Sequence, residues 1–163
     1  MIVNLPNFHW IIEGVLAGMA RPGSSFKDPI QDLAELSRLG FSVLVTLTET
    51  PLPLDVVMRS GLAPVHIPID DFAAPAIEQG EKLCALVDRM AAGKRPVAMH
   101  CYAGLGRTGT MAAAYLMHRE GIGAGDAVRR VREIERGYIQ SDAQVEFLDE
   151  WEAHLASGKK GRT

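Results

Sequence analysis

The segment RPVAMHCYAGLGRTGTMAAAYLM, residues 95–117, constrains the fold of this chain more than any other stretch. It begins with a short apolar run that is typical of a buried strand. A glycine-rich loop follows, and then a helix that is apolar on every side. A strand and a helix of this kind must both be covered by other elements. The segment therefore predicts a strand–loop–helix unit in the interior of the molecule.

Strands and helices alternate along the rest of the chain. Two further apolar runs, at residues 41–47 and 63–69, are predicted as strands. Helices are predicted for the segments 28–40, 53–61, 76–93, 124–137 and 141–158. This order predicts one α/β domain over residues 1–157, with a central, mostly parallel sheet flanked by helices on both faces and an all-helical C-terminal part. Residues 158–163 are predicted to form a disordered tail.

Composition and charge argue against several classes of protein. With 163 residues, 47% of them hydrophobic, and a net charge of −3, the chain has no global basic surface for nucleic acid. No apolar run reaches the roughly 18 residues of a membrane span. The N-terminus lacks a positive region and carries Glu13 in its apolar part, unlike a signal peptide. The two cysteines, Cys84 and Cys101, make no disulfide framework, so we expect the protein to reside in the reducing cytoplasm.

The glycine-rich loop contains the pattern G-x-G-x-x-G at residues 104–109, which is typical of a dinucleotide site. Such a site needs a second parallel strand after its helix, and here the helix 124–137 follows instead. A Walker loop needs a lysine before the hydroxyl residue, whereas Arg107 precedes Thr108. No nucleotide cofactor is therefore expected. No metal is expected either, because the histidines outside the loop are scattered without ligand spacing: His9, His66, His118 and His154.

The same loop also contains a cysteine, five residues and an arginine. Cys101 ends a strand and Arg107 begins a helix, so the loop between them can wrap around an anion with its N–H groups pointing inward. Arg107 is expected to bind two phosphate oxygens, and the same field favours the thiolate of Cys101 as a nucleophile. Thr108 is placed to donate to the sulfur, and His100 is expected to orient the loop. The expected phosphate-binding residues are Tyr102, Ala103, Gly104, Leu105, Gly106 and Arg107.

Cys84 calls for a different interpretation. It lies on the apolar face of the predicted helix 76–93, where an inert buried thiol is the expected role. A role as a resolving partner for an oxidised Cys101 stays open as an alternative.

These residues resemble the cysteine-based protein tyrosine phosphatase superfamily, whose signature is H-C-x5-R-[ST], and in particular its small atypical dual-specificity branch. Three other stretches carry the resemblance. FHWIIEGVLAGMARP is similar to the opening of those small enzymes, IDDFAAPAIEQ to their general-acid loop, and GYIQSDAQVEFL to their glutamine loop. The match covers most of residues 8–150. It implies a metal-independent phosphomonoester hydrolase with a phosphocysteine intermediate.

The leaving oxygen of a phosphate ester needs a proton, and two adjacent carboxylates precede the loop. The resemblance favours Asp71 over Asp70 as the acid, because Asp71 stands directly before Phe72 and a few residues before Pro75. It also implies that Gln140 and Gln144 position the hydrolytic water. Gln144 can equally serve as the capping-box partner of Ser141 at the start of the last helix.

Substrate choice depends on the rim around the loop. Tyr102, Leu105 and Phe72 make a largely apolar rim, which suits an aryl phosphate on a protein. Phosphoserine and phosphothreonine are further candidates. Inositol phosphates or phosphoinositides are the alternative substrates, if Arg136 or Arg21 supplies charge from other loops. A phosphate-binding module without catalysis is a third hypothesis, which the intact Cys101 and Arg107 disfavour. The expected partners are thus phosphorylated proteins or small phosphate esters.

Overall fold

The computed structural model describes residues 2–160 of the chain. Its elements in chain order are β1 (His9–Ile12), β2 (Leu16–Met19), α1 (Pro29–Arg38), β3 (Val43–Thr46), α2 (Leu54–Arg59), β4 (Ala63–His66), α3 (Ile77–Ala92), β5 (Val97–His100), α4 (Gly106–Glu120), α5 (Ala124–Ile134) and α6 (Asp142–Lys160). The predicted α/β alternation and the all-helical C-terminal part are confirmed.

The strands form one five-stranded sheet in the order β1-β2-β5-β3-β4. Only β1 runs antiparallel to its neighbour β2, and the other neighbours pair in parallel. The mostly parallel sheet is therefore as predicted. Because parallel strands share their direction, the carboxyl ends of β2, β3, β4 and β5 meet at one edge of the sheet, where ligand sites of open α/β sheets lie.

Helices cover both faces of the sheet, as the sequence predicted. Val43 and Val45 of β3 pack into a core with α3, α4, α5 and α6. Leu44, between them, packs on the other face with side chains of α1 and α2. This alternation follows from the two-residue period of a strand. A strand buried on both faces in this way is typical of parallel sheets.

The N-terminal hairpin of β1 and β2 was not assigned from the sequence. The strand β2 has the sequence LAGM, whose alanine and glycine are poor strand formers. Its extended conformation comes from parallel pairing with β5 over four residues. Gly18 is required there, because a Cβ atom would lie 2.6 Å from Cγ2 of Thr108.

The C-terminal helix extends further than the sequence predicted. α6 continues through Lys160, so residues 158–160 are helical rather than part of a disordered tail. A single glycine costs a helix only about 1 kcal/mol relative to alanine, so Gly158 does not end it. The remaining residues of the predicted tail, 161–163, lie outside the described residues. Within residues 2–160, no helix has the length and apolar character that crossing a bilayer requires.

Candidate active site

The loop from Cys101 to Leu105 joins the carboxyl end of β5 to the N-terminus of α4. Gly104 has a φ angle of +75°, and a Cβ atom there would lie 2.5 Å from the carbonyl carbon of Met19. Only glycine fits this conformation and this close approach. The loop is thereby pressed against the end of β2, with the first turn of α4 directed at its interior.

Cys101 lies at the start of this loop and is 2% exposed as a residue. The hydroxyl of Thr108 donates a hydrogen bond to it over 3.1 Å. This is the contact that the sequence predicted. A hydroxyl donor together with a helix N-terminus stabilises a negative charge on sulfur.

His100 is fully buried beneath the loop. Its Nδ1 lies 2.9 Å from the carbonyl oxygen of Cys101 and its Nε2 lies 2.8 Å from Oγ1 of Thr46. A carbonyl only accepts, so Nδ1 carries the hydrogen and Nε2 accepts from the hydroxyl of Thr46 in a neutral ring. Burial lowers the pKa of His100 to about 4. The neutral ring anchors the start of the loop, consistent with the predicted orienting role.

Arg107 is buried, and its guanidinium is held in one orientation. Nη1 donates to Oε1 of Glu49 over 2.7 Å and to the carbonyl oxygen of Ile69 over 2.9 Å. Both acceptors come from loops that follow the parallel strands β3 and β4. Sequence reasoning missed Glu49. Its position just beyond the carboxyl end of a buried strand is the signal that would have pointed to it.

The two neighbouring carboxylates differ in placement. Oδ1 of Asp71 lies 3.3 Å from Nη2 of Arg107, and its side chain is 61% exposed. Among the described residues, Asp70 makes no ion pair, and only its backbone carbonyl is engaged, by the N–H of Ala73. The structure therefore brings Asp71, and not Asp70, to the loop, in the order of preference that the sequence analysis gave.

The predicted glutamine loop lies against the start of α4. A Cβ atom on Gly106 would lie 2.9 Å from Oε1 of Gln140 and 3.2 Å from Nε2 of Gln144. Gln144 is fully buried, and its Oε1 accepts from the backbone N–H of Gln140 and of Ser141. Its own N–H donates to Oγ of Ser141, so the capping box is formed. Gln144 thus forms the capping box that the sequence analysis offered as one of its two roles, and Gln140 is an exposed residue beside it.

The acid loop and the glutamine loop are tied together. Oγ of Ser141 donates to the carbonyl oxygen of Phe72 over 2.7 Å, and Nε2 of Gln144 donates to that of Ala73 over 3.2 Å. Phe72 itself has a φ angle of +59°, in the left-handed region that residues other than glycine rarely adopt, and its N–H donates to Oδ1 of Asp71 over 3.0 Å. These bonds fix the position of the segment that carries Asp71.

The rim of the loop carries exposed aromatic side chains. Tyr102 is 65% exposed and Phe72 is 57% exposed, while Leu105 is partly buried against Gly137. Tyr102 and Leu105 belong to the loop itself, and Phe72 belongs to the segment that carries Asp71. Within the described residues, no cluster of three or more histidine, cysteine or carboxylate side chains could hold a metal ion.

Comparison with known proteins agrees with this geometry. A profile of the family described as "Polymorphic toxin system, DSP-PTPase phosphatase" matches residues 17–121. Cyclin-dependent kinase inhibitor 3 of Sus scrofa is 32% identical over 156 residues, which cover 85% of this chain and 74% of that protein.

Solved structures share the fold over nearly the whole chain. The active form of Tk-PTP is 31% identical with a TM-score of 0.80, over 91% of this chain and 97% of that one. PTPMT1 in complex with PI(5)P is 17% identical with a TM-score of 0.81, over 94% of this chain and 99% of that one, and shares the fold alone. The chain belongs to the dual-specificity and tyrosine phosphatase family of cysteine-based phosphomonoester hydrolases.

Proposed function

We propose that the chain hydrolyses phosphotyrosine, and also phosphoserine and phosphothreonine, in proteins through a phosphocysteine intermediate on Cys101. One observation carries the proposal. A buried sulfur that accepts from Thr108 stands at a helix N-terminus, at the foot of a loop whose Arg107 faces the carboxylate of Asp71. This arrangement supports a mechanism in which Cys101 is the nucleophile, Arg107 binds the phosphate and Asp71 donates the proton.

In the first step the thiolate of Cys101 attacks phosphorus and the ester P–O bond breaks. The proton of Asp71 passes to the leaving oxygen, so that an alcohol or phenol departs. The backbone N–H groups of the loop and Arg107 bind the three remaining phosphate oxygens, over which negative charge is spread in the transition state. The product of this step is a phosphocysteine and an ionised Asp71.

In the second step water replaces the thiolate. The carboxylate of Asp71 takes a proton from water, the resulting oxygen attacks phosphorus, and the P–S bond breaks. The hydroxyl of Thr108 stabilises the departing thiolate through its existing hydrogen bond. We assign the orientation of this water to Gln140, and its exposure beside Gly106 supports the assignment. Gln144 supports it indirectly, since its side chain holds the backbone N–H of Gln140.

The contacts of Arg107 explain how one side chain serves both the fold and the substrate. Glu49 and Ile69 occupy Nη1. The edge formed by Nε and Nη2 is left to bind two phosphate oxygens side by side. An ionised Asp71 competes with phosphate for Nη2, whereas a protonated Asp71 does not.

The rim supports aryl phosphates as the preferred substrates. Residues 102–106 of the loop carry no charge, and the exposed rings of Tyr102 and Phe72 offer apolar surface to the ring of a phosphotyrosine. The mechanism uses no metal at any step. Because a free nucleophilic thiol persists best where thiols are kept reduced, we place the activity in the cytoplasm.

The test is hydrolysis of para-nitrophenyl phosphate in the presence of a chelator and a reductant. We expect turnover by the wild-type protein and none by Cys101→Ser. An inactive wild-type protein that still binds inorganic phosphate would contradict the proposal and support the non-catalytic phosphate-binding module instead.

A substrate panel then separates the two substrate classes. We expect phosphotyrosine peptides to be hydrolysed with higher kcat/KM than phosphoserine or phosphothreonine peptides, and Tyr102→Ala to reduce this preference. Inositol phosphates and phosphoinositides form the other arm. Higher kcat/KM on these, with a steep loss as salt rises, would contradict the protein-substrate assignment.

A further inference from the structure

The outer side of the phosphate loop is held by a side chain from the N-terminal segment. Nδ2 of Asn7 lies 3.2 Å from the carbonyl oxygen of Ala103 and 3.3 Å from that of Gly104. Almost a hundred residues of chain separate the partners. The segment itself is anchored to the end of β2, because the N–H of Ala20 donates to the carbonyl oxygen of Pro6 over 2.9 Å.

These two hydrogen bonds determine where two N–H groups of the loop point. The carbonyl of Ala103 belongs to the same peptide unit as the N–H of Gly104, and the carbonyl of Gly104 to that of Leu105. In a trans peptide the C=O and N–H point in opposite directions. No cis peptide is present in the described chain. Holding both carbonyls outward on Asn7 therefore directs both N–H groups toward the interior of the loop, where phosphate oxygens would bind.

A second pair of side chains fixes the amide of Asn7. Nε2 of His9 lies 3.1 Å from Oδ1 of Asn7 and 3.3 Å from Oε2 of Glu135. Both partners are acceptors, so Nε2 carries a hydrogen. With Oδ1 turned to His9, Nδ2 is turned to the loop. Glu135 is held in turn, since the N–H of Gly137 donates to its Oε1 over 2.9 Å.

We propose that Asn7 is a positioning residue for phosphate binding, and that His9 and Glu135 hold its amide in the working orientation. This inference rests on the proposed function, because it assigns a role to the same phosphate loop. Asn7 touches no reacting atom. It acts by preorganising two N–H donors, so that no reorientation is needed when the substrate or the transition state binds.

The direct test is the affinity for inorganic phosphate, measured by calorimetry in the Cys101→Ser background so that turnover plays no part. We expect Asn7→Ala to bind phosphate about tenfold more weakly, since two neutral hydrogen bonds that order the loop are lost. We expect Asn7→Asp to lose more, because its carboxylate faces two carbonyl oxygens and adds negative charge near the anion.

The His9 variants separate positioning from packing. His9→Gln retains an amide N–H donor and is expected to recover most of the phosphate affinity that His9→Ala loses. The matched control is His154→Ala, which removes a partly exposed histidine of α6 that pairs with Glu81 of α3 and not with the phosphate loop. It should leave phosphate affinity unchanged in the Cys101→Ser background, and kcat/KM unchanged in the protein that retains Cys101. Thermal denaturation should show every variant folded.

The possible outcomes separate a failure of the role given to Asn7 from a failure of the proposed function. Unchanged phosphate affinity in both folded Asn7 variants, with normal binding by the parent protein, would overturn the inference alone. An equal loss in His9→Gln and His9→Ala would overturn the role of the donor hydrogen bond. Absence of phosphate binding by the parent protein would overturn both the inference and the proposed function.

Discussion

The molecule contains two buried thiols whose surroundings are opposite in character. Cys101 and Cys84 are 2% and 3% exposed, and both belong to the same hydrophobic core cluster. Cys101 lies at a helix N-terminus and receives the hydroxyl of Thr108. Cys84 lies within α3, and burial, followed by the charges of Asp88 and Glu81, raises its pKa to about 12.

The comparison shows that burial does not by itself decide what a cysteine does. A buried thiol ionises only where donors or positive charges replace the lost water. The strand–loop–helix unit supplies such donors to Cys101. The interior of α3 offers Cys84 none, and carboxylates lie nearby instead. These surroundings favour the packing role that the sequence analysis predicts for Cys84.

Single substitutions of the two cysteines should differ most in their effect on activity. Cys101→Ser should lower kcat on para-nitrophenyl phosphate by at least about 10⁵-fold, because the nucleophile is lost. Cys84→Ala should leave kcat/KM unchanged and lower only the thermal midpoint. Steady-state kinetics and thermal melts of both variants check this. Equal losses of activity would contradict the distinction between the two thiols.

The neighbouring carboxylates Asp71 and Asp70 allow a second pair of substitutions to be compared. Asp71→Asn should reduce kcat by about 10³-fold and remove the fall in rate at higher pH that a general acid causes. Asp70→Asn serves as the matched control and should change kcat by less than about threefold, because its side chain makes no ion pair with the loop. The measurement is the pH–rate profile of both variants. A larger loss in Asp70→Asn would reassign the acid.

A smaller effect is expected from the geometry of the anion-binding group. Arg107→Lys keeps the positive charge but loses the planar fork, so kcat/KM should fall by about 10²-fold. In Glu49→Gln, kcat/KM should fall by a smaller factor, because the amide oxygen of the glutamine still accepts from Nη1 of Arg107. Inhibition by inorganic phosphate, measured beside the kinetics, should weaken in parallel. A lysine variant with normal kcat/KM would show that charge alone is sufficient.

The smallest effect concerns stability rather than rate. Burial holds the pKa of His100 at about 4, below its value of 6.5 in a model peptide. The unfolded chain therefore binds a proton more readily than the folded one between pH 6.5 and 4, and the free energy of unfolding falls as pH falls through that window. The loss from this residue is about 3 kcal/mol by pH 4.

Urea denaturation as a function of pH checks this prediction. The pH dependence between 6.5 and 4 should flatten in His100→Asn, which keeps an N–H donor for the carbonyl of Cys101. The pH dependence should persist in His154→Asn, because the ring that this variant removes is 37% exposed in the wild-type protein. An identical slope in the wild-type and His100→Asn proteins would mean that His100 takes up its proton in the folded state.

The part of the site that lies close together in sequence could be predicted from sequence. Cys101, Arg107 and Thr108 lie within one strand–loop–helix unit, so their spacing alone defines a cradle. The parallel strands β3 and β5 were also predictable, because both are buried along their whole length and a strand buried on both faces has a continuous apolar sequence.

The remaining parts depend on contacts between distant segments. Glu49 and Asn7 reach the loop from loops 58 or more residues away. The strand β2 contains alanine and glycine, and only its pairing with β5 makes it extended. No local pattern distinguishes such residues from ordinary polar loop residues. The order of the strands in the sheet brings Glu49, Asn7 and β2 to the phosphate loop. That order cannot be read from the sequence directly.

The most direct test of the account is to trap the intermediate. Wild-type protein is mixed with excess para-nitrophenyl phosphate in chelator, quenched in acid within the first turnover, digested and analysed by mass spectrometry. We expect one phosphoryl group on the peptide that contains Cys101, and none on the peptide that contains Cys84. Turnover that leaves no phosphoryl group on Cys101, or that places it on another residue, would contradict the account.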